Sequence, residues 1–345
     1  VGKKKSQVKP AQRHPLYNNR HMPSTSFIIL AWNSAAHLPR CLACLSAQTN
    51  RDFEVIIVDN GSTDNATVGL EEKYPQLNLR VKRLTSNLGF AVANNLGAHL
   101  ARGEWLALLN ADAFPEPNWL ESMLTAAQRH PNAFFASCLI QANTPTLLDG
   151  QGDVYHASGL AWRRNYNLPS ALNPPEGETF SACAAAAFYP TRAFLAVDGF
   201  DEDYFAYHED VDLGFRLRLS GLKCFYIPEA VVHHIGSTSF GKRGERATYF
   251  GHRNLVWTFV KDMPGPLFWI FLPIHLAYAL IHLVYFTKIK QGHVIWKAKL
   301  DAWKGIGPIL EKRKTIHKAA SIKSILSVIE LNPFAPIRNI RKRNQ

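Results

Sequence analysis

Cysteine is scarce in this chain of 345 residues: five in all, at Cys41, Cys44, Cys138, Cys183 and Cys224. An odd count, with no apolar run for a secretory signal in the first 23 residues, argues for a reducing compartment. Those residues are basic, polar and punctuated by proline, the composition of a disordered arm expected over 1–24. Acid is missing from both ends. Residues 1–26 hold six Lys/Arg and no acid, and residues 287–345 hold fourteen against three. Residues 27–286 hold nineteen against twenty-four, so the local charges are +6, +11 and −5, and the net +12 lies in the arms. A body with basic ends suits an anionic membrane surface or a nucleic acid, and the lack of a basic–aromatic stripe in the acidic middle weighs against nucleic acid. Internal repeats are absent, as is a G-x-G-x-x-G dinucleotide fingerprint. Cys41-Leu-Ala-Cys44 has metal or redox spacing but no second pair, and reads as a packed helix face.

What is present describes a globular α/β body: 47% hydrophobic and 19% charged residues, long enough for one large domain and an appendage. Short apolar runs at 27–31, 53–58, 79–84 and 104–112 read as strands. They alternate with helical spacing at 38–48, 65–74 and 90–102, which implies βαβ units and a mostly parallel sheet. From about 134 the rhythm changes. Residues 141–178 read as loops with short strands, 191–197 and 212–219 as helices, 223–227 and 230–234 as strands. The most apolar stretch runs from 265 to 288. It is long enough to span a bilayer, but Pro273, His275 and His282 make a poor span. With a cytosolic catalytic domain, a span would also place the +11 tail on the far side. A helix or hairpin dipping into one leaflet is expected, against a buried core helix as the plain alternative.

Five constellations carry chemistry. The central one is EWLALLNAD at 104–112, a buried strand whose polar end places Asp112 where α/β sheets bind ligands, well suited to a hard cation; the plain reading is an Asp capping the next helix. Asp59-Asn60-Gly61-Ser62-Thr63-Asp64 follows another strand, and its first acid can accept from ribose or base, although strand-to-helix turns commonly look like this. Asn87 opens a segment reaching Asn94 and Asn95, whose amides need partners and could meet phosphate or ribose. Glu209, Asp210 and Asp212 put three carboxylates in four residues at a helix start, where the dipole tolerates acids and one acid can serve as general base. His233-His234 ends a strand, so one of the two points toward the crevice.

In this order and spacing the five resemble glycosyltransferase family 2, inverting enzymes of the GT-A fold, over about residues 25–260. The likeness rests on FIILAWNSAAHLPRCLACLSAQT, EVIIVDNGSTDN, NLGFAVANNLGAHLARGEWLALLNAD, GFDEDYFAYHEDVDLGFRLRLSG and AVVHHIGS. The branch it resembles is rhamnosyltransferase-like and builds cell-surface polysaccharide; YFGHRNLVWTFVKDMPG and the apolar, basic C-terminus fit it as well.

The resemblance implies a GT-A domain at 25–260, with a nucleotide-sugar half (25–135) and an acceptor half (136–260), and a membrane-associated helical region at 261–345. It implies that Asp59 binds base or ribose with Asn33 and Asn87 nearby, and that Asp112 coordinates Mg²⁺ or Mn²⁺ on the donor diphosphate. Asp210 would be the general base. His234, or His233, would complete the metal or diphosphate shell, and Arg253 would neutralise the leaving diphosphate. Glu209, Asp212 and Trp32 would support the acceptor side. The family's Asp-x-Asp is here Asn110-Ala-Asp112, which implies a weaker metal site. The Gln-x-x-Arg-Trp motif of processive synthases is absent, so single-sugar addition is expected. The function implied is transfer of one sugar, L-rhamnose from dTDP-rhamnose as the leading case, to a lipid-linked glycan on the cytosolic face of a bacterial membrane. A nucleotidyltransferase would want a basic glycine-rich loop that 31–34 lacks, and Asn110 keeps an inactive scaffold as the other alternative.

Overall fold

The computed structural model describes residues 22–236 and 244–343. Most of the basic arm expected over 1–24 lies outside the described residues; Ser24 already belongs to the body, its hydroxyl donating to the Asp52 carbonyl at 2.7 Å. The chain then runs β1 (Thr25–Ala31), α1 (Leu38–Ser46), β2 (Phe53–Asp59), α2 (Leu70–Lys73), β3 (Leu79–Arg83), α3 (Phe90–Leu100) and β4 (Trp105–Asn110). β1 pairs in parallel with both β2 and β4, and β2 with β3. The expected α/β alternation is therefore present. Only one turn of the helix expected over 65–74 forms, because Asn65 and Gly69 adopt positive φ and hold the chain in turns until Leu70.

The second half builds β5 (Ala113–Pro115), α4 (Trp119–Arg129), β6 (Ala133–Gln141), β7 (Leu148–Gly150), β8 (Asp153–His156), β9 (Ala161–Arg163), β10 (Gly177–Thr179) and β11 (Ala186–Pro190). After α5 (Thr191–Ala196) and a single 3-10 turn come α6 (Glu209–Leu219) and β12 (Lys223–His234). The main sheet has the order β10-β12-β6-β11-β4-β1-β2-β3, and four of the seven pairings along that path are parallel. Residues 223–234 form one strand rather than two. Pro228 supplies no N–H, and the ladder with β6 absorbs it as an irregularity between Ile227 and Val231.

Alternation along β1 divides the core. Phe27, Ile29 and Ala31 pack with α1 and α4 on one face, while Ile28 packs with α3 and α6 on the other. A separate cluster joins α6 (Val211, Phe215, Leu219) to β8 and to the C-terminal helices. Those are α7 (Glu245–Asp262), α8 (Gly265–Lys288), α9 (Gly292–Lys304), α10 (Ile306–Thr315), α11 (Ile322–Leu326) and α12 (Ala335–Arg343), with β13 (Ile329–Glu330) pairing onto β8.

α8 is the apolar stretch, and among the described residues it alone is long and apolar enough to cross a membrane; its most apolar window has mean hydropathy 2.0 and is 17% buried. That exposure overturns the core-helix alternative. Leu267, His275, Tyr278 and His282 form its one buried stripe. His275 meets the Ser158 carbonyl, and the Tyr278 hydroxyl donates to that of Pro333. Burial pushes His275 and His282 down to about 4, so the stripe stays uncharged at neutral pH.

Gly103 turns the chain from α3 into β4 against β1. A Cβ there would sit 2.6 Å from the Ser26 nitrogen and from the Thr25 carbonyl carbon, both backbone atoms that cannot yield. Gly103→Ala should therefore cost about 1–3 kcal/mol in urea unfolding; an unchanged midpoint would contradict this packing.

Candidate active site

The parallel strands end together, and their loops are laced by side chains. The Asn33 side-chain oxygen accepts from the Thr63 nitrogen at 2.8 Å, and the Ser62 hydroxyl accepts from the Asn33 nitrogen at 3.1 Å. Asn33 itself sits at φ 49°, a conformation asparagine tolerates. The Asn60 amide donates to the Asn87 side-chain oxygen at 3.0 Å. Asp59 accepts from the Ser62 nitrogen at 2.9 Å and the Thr67 hydroxyl at 2.5 Å. Burial works against its charge, but these donors and nearby Arg83 hold its carboxyl below the ordinary range. Asp59, Asn33 and Asn87 are thus brought to one rim, with Trp32 exposed beside them.

Past β4 the chain turns sharply through Ala111 and Asp112 into β5. β5 pairs antiparallel with the end of β12, setting His234 opposite Ala113, and the Ile235 nitrogen donates to the Asp112 carbonyl at 3.1 Å. His234 Nε2 lies 3.5 Å from Asp112 Oδ1, and its Nδ1 meets Asp149 Oδ2 at 2.7 Å. Asp149, from β7, is paired in turn with Arg163 from β9. Burial opposes charge on both members of the His234–Asp149 contact. The carboxylates of Asp112 and Asp149 nevertheless raise His234, while Arg163 and His234 hold Asp149 down to about 2.

This donor set fits a divalent cation. With Nδ1 held by Asp149, the other imidazole nitrogen faces Asp112, the carboxylate–histidine arrangement that orients a metal-ligating ring. No group of three or more His, Cys, Asp or Glu able to hold a metal occurs among the described residues. A cation here would take its remaining ligands from phosphate oxygens and water. Asn110, half-buried at the end of β4, offers a neutral amide where a second carboxylate would add charge.

Opposite the Gly89 loop stands the turn into α6. Phe205, Tyr207 and His208 all take positive φ, and the Phe205 carbonyl accepts from the Phe90 nitrogen at 3.0 Å. Asp210 accepts from the Ala184 nitrogen at 3.4 Å and from the Val211 nitrogen at 2.8 Å. Burial raises its carboxyl, although these donors and Arg163 restrain the rise. Glu209 is buried with Oε2 unpaired, and burial plus the adjacent Asp210 push it up further. Two acids that interact this closely share their protons as a pair.

Residues 26–195 match the family described as "Glycosyl transferase family 2". The N-acetylglucosaminyl-diphospho-decaprenol L-rhamnosyltransferase of Mycobacterium tuberculosis is 31% identical over 260 residues, spanning 68% of this chain and 83% of that protein. The chain belongs to glycosyltransferase family 2. Solved structures agree on the fold. TarS of S. aureus in complex with UDP aligns at TM-score 0.53 and 19% identity, over 73% of this chain and 70% of that one. The mannosyltransferase PcManGT of Pyrobaculum calidifontis, in complex with GDP-Man and Mn²⁺, aligns at TM-score 0.51 and 18% identity, over 89% and 79%. The molecule is a glycosyltransferase of the GT-A fold.

Several expected site residues of this glycosyltransferase stand elsewhere. His233, one residue off on β12, turns to Glu116 at 2.8 Å and leaves the Asp112 side to His234. Asp212 lies across α6 from the crevice. It is fully buried, bonded to Arg216 at 2.6 and 2.9 Å and paired with Lys261, which also meets Asp201 at 2.5 Å. It ties α6 to α7 and does not face an acceptor. Arg253 donates to the carbonyls of Asp203 and Tyr204 and lies 4.1 Å over the Trp257 ring. It braces the turn before α6 and is not set beside Asp112. Asn95 is used internally as well, donating to the Phe200 carbonyl at 2.8 Å and accepting from its nitrogen at 2.8 Å. Asp149 and Arg163 escaped the sequence reading because they lie in a glycine- and asparagine-rich stretch without periodicity.

Asp212 offers a clear contrast with Asp210. Burial opposes its charge, yet Arg216 and Lys261 hold its carboxyl far below the ordinary range. Its contribution to stability is present above about pH 4 and lost as pH falls through that lowered value. Asp212→Asn should cost about 3–5 kcal/mol in urea unfolding by leaving Lys261 and Arg216 under-compensated. Asp210→Asn should leave the unfolding midpoint within about 1 kcal/mol. The reverse order of stabilities would exchange their roles.

Proposed function

We propose that this enzyme is an inverting, cation-dependent transferase that moves one sugar from a nucleotide-diphosphate donor to a lipid-linked glycan. L-rhamnose from dTDP-rhamnose is the leading donor, and an N-acetylglucosaminyl-diphospho-lipid the leading acceptor, as in the name of the M. tuberculosis relative. The observation that carries this reading is the continuous chain from Asp112 through His234 and Asp149 to Arg163, which stands near Asp210. One end of that chain suits a diphosphate and the other a nucleophile's proton.

In this mechanism the acceptor hydroxyl attacks the anomeric carbon on the face opposite the diphosphate, and the stereochemistry inverts. Asp210 takes the hydroxyl proton as the new bond forms; its raised pKa makes it a better acceptor for that proton. A divalent cation at Asp112 and His234 would neutralise charge accumulating on the departing diphosphate. His234 is kept in one orientation by Asp149, and Arg163 keeps Asp149 ionised. The residues Asn33, Asp59 and Asn87 form the rim for the nucleoside, Asp59 retaining lone pairs for a further donor.

The enzyme is further proposed to lie on the cytosolic face of a bacterial membrane. Trp269, Ile270, Leu276 and Leu280 of α8 and Trp296 and Trp303 of α9 are exposed, and α9 carries Lys297 and Lys304 next to its two tryptophans in sequence. α8 is docked on the body at intervals from Leu267 to His282, which suits a helix lying in the interface better than a span.

Three outcomes are expected. Across a donor panel with Mn²⁺, one nucleotide sugar should bind and EDTA should abolish binding. Asp210→Asn should keep that binding while turnover falls about 10²–10⁴-fold; failure to bind any donor with or without metal would sink the reading. Second, the acid limb of kcat/KM should lie above the usual carboxylate range, since the base must be deprotonated and its pKa is raised. Arg163→Gln should move that limb higher, and a shift to lower pH would exclude Asp210 as the base. Third, Ile270→Glu with Leu280→Glu should reduce sedimentation with vesicles containing anionic lipid at unchanged donor hydrolysis.

A further inference from the structure

A second concavity, of about 230 Å³, opens between β9 and the C-terminal segment around α12. Trp162, Arg164, Tyr166, Glu330, Asn332 and Arg338 line it. Its position follows from strand alternation. Arg163 turns toward Asp149 and the crevice, whereas Trp162 pairs with Val154, and both line the concavity with Arg164. The turn that follows uses two asparagines in the left-handed region, a conformation that residue tolerates. Asn165 and Asn167 both have positive φ. The Asn165 side-chain amide donates to the Gln151 side-chain oxygen at 2.8 Å, and the Asn167 nitrogen to the Leu148 carbonyl at 3.0 Å.

Two features speak to an occupant. Among the described residues neither Arg164, half-buried, nor Arg338, exposed, has a carboxylate partner, whereas Arg163, Arg216, Arg218 and Lys261 each do. Glu330, the one acid in the lining, is already engaged by the Asn332 nitrogen at 2.8 Å. The concavity is also joined to α8: His156 contacts both Trp162 and Tyr278, and the Tyr278 hydroxyl donates to the Pro333 carbonyl at 2.5 Å. A groove with two guanidinium groups beside the apolar helix would stand at the level of lipid headgroups. Guanidinium forks match phosphate oxygens in pairs.

We infer that this concavity binds the diphosphate of the lipid-linked acceptor, with Arg164 and Arg338 as its ion-pairing groups. The inference rests on the transferase reading above and adds a second phosphate site, separate from the one at Asp112. It makes the acceptor's anionic linker a recognition element and leaves the donor untouched.

The test uses the full chain in detergent, with N-acetylglucosaminyl diphosphate bearing a short prenyl chain as one acceptor and methyl N-acetylglucosaminide as the other. In Arg164→Gln with Arg338→Gln, KM for the diphosphate acceptor should rise about 10–100-fold. Donor KM, acceptor-free donor hydrolysis and KM for the methyl glycoside should stay within about twofold of wild type. Arg164→Lys with Arg338→Lys should recover part of the loss. An unchanged KM for the diphosphate acceptor, or an equal loss on both acceptors, overturns the inference. Loss of binding to anionic but not neutral vesicles, with unchanged acceptor KM, would assign the groove to membrane headgroups and overturn it too. If wild type hydrolyses donor but transfers to neither acceptor, the acceptor assignment falls; if it binds no donor at all, the transferase reading falls first.

Discussion

The pairing of β12 with β5 is the constraint on which the site depends. Three residues of each strand are in register, and that short ladder fixes which of two adjacent histidines faces the crevice. A slip by one residue would send His234 outward to Glu116 and bring His233 to Asp112, without the Asp149 carboxylate behind it. β12 also pairs along its length with β6, so the ladder is held from both sides. The irregularity at Pro228 lies upstream, where it can be absorbed before the register that matters.

α6 solves a different problem. Three acids within four residues would repel one another on a single face, and the helix separates them by rotation. Asp210 accepts from the Ala184 nitrogen; Asp212, two positions on, points into a buried set of cations that fastens α6 to α7. Glu209 keeps an unpaired oxygen between them, so part of the repulsion remains in the folded protein. Unsatisfied buried groups of this sort concentrate where chemistry is done.

Much of this was legible in the residues. Alternating apolar strands and helical spacing announced the α/β body through Asp112. The acid cluster and paired histidines marked the elements that close the crevice. What the spacing could not carry was direction. Asp212 and Arg253 have the residue types of a site but spend them on packing, because their partners (Lys261, Trp257, the Tyr204 carbonyl) come from elements distant in sequence. Asp149 and Arg163 had no periodic frame to announce them, since short strands among glycines and asparagines leave no pattern. The helix expected after Asn65 failed for a local reason, the positive φ of Asn65 and Gly69.

The docking of α8 along the body has a kinetic meaning. A helix whose buried stripe runs from Leu267 to His282 enters and leaves its apolar surface on the same side. Attachment through exposed side chains and screened charge is reversible, and salt weakens it. On the membrane-bound reading proposed above, the enzyme would meet a lipid-borne substrate by diffusion within a surface rather than through a volume. Its catalytic rate would then follow the surface density of acceptor, and its residence the ionic strength around it.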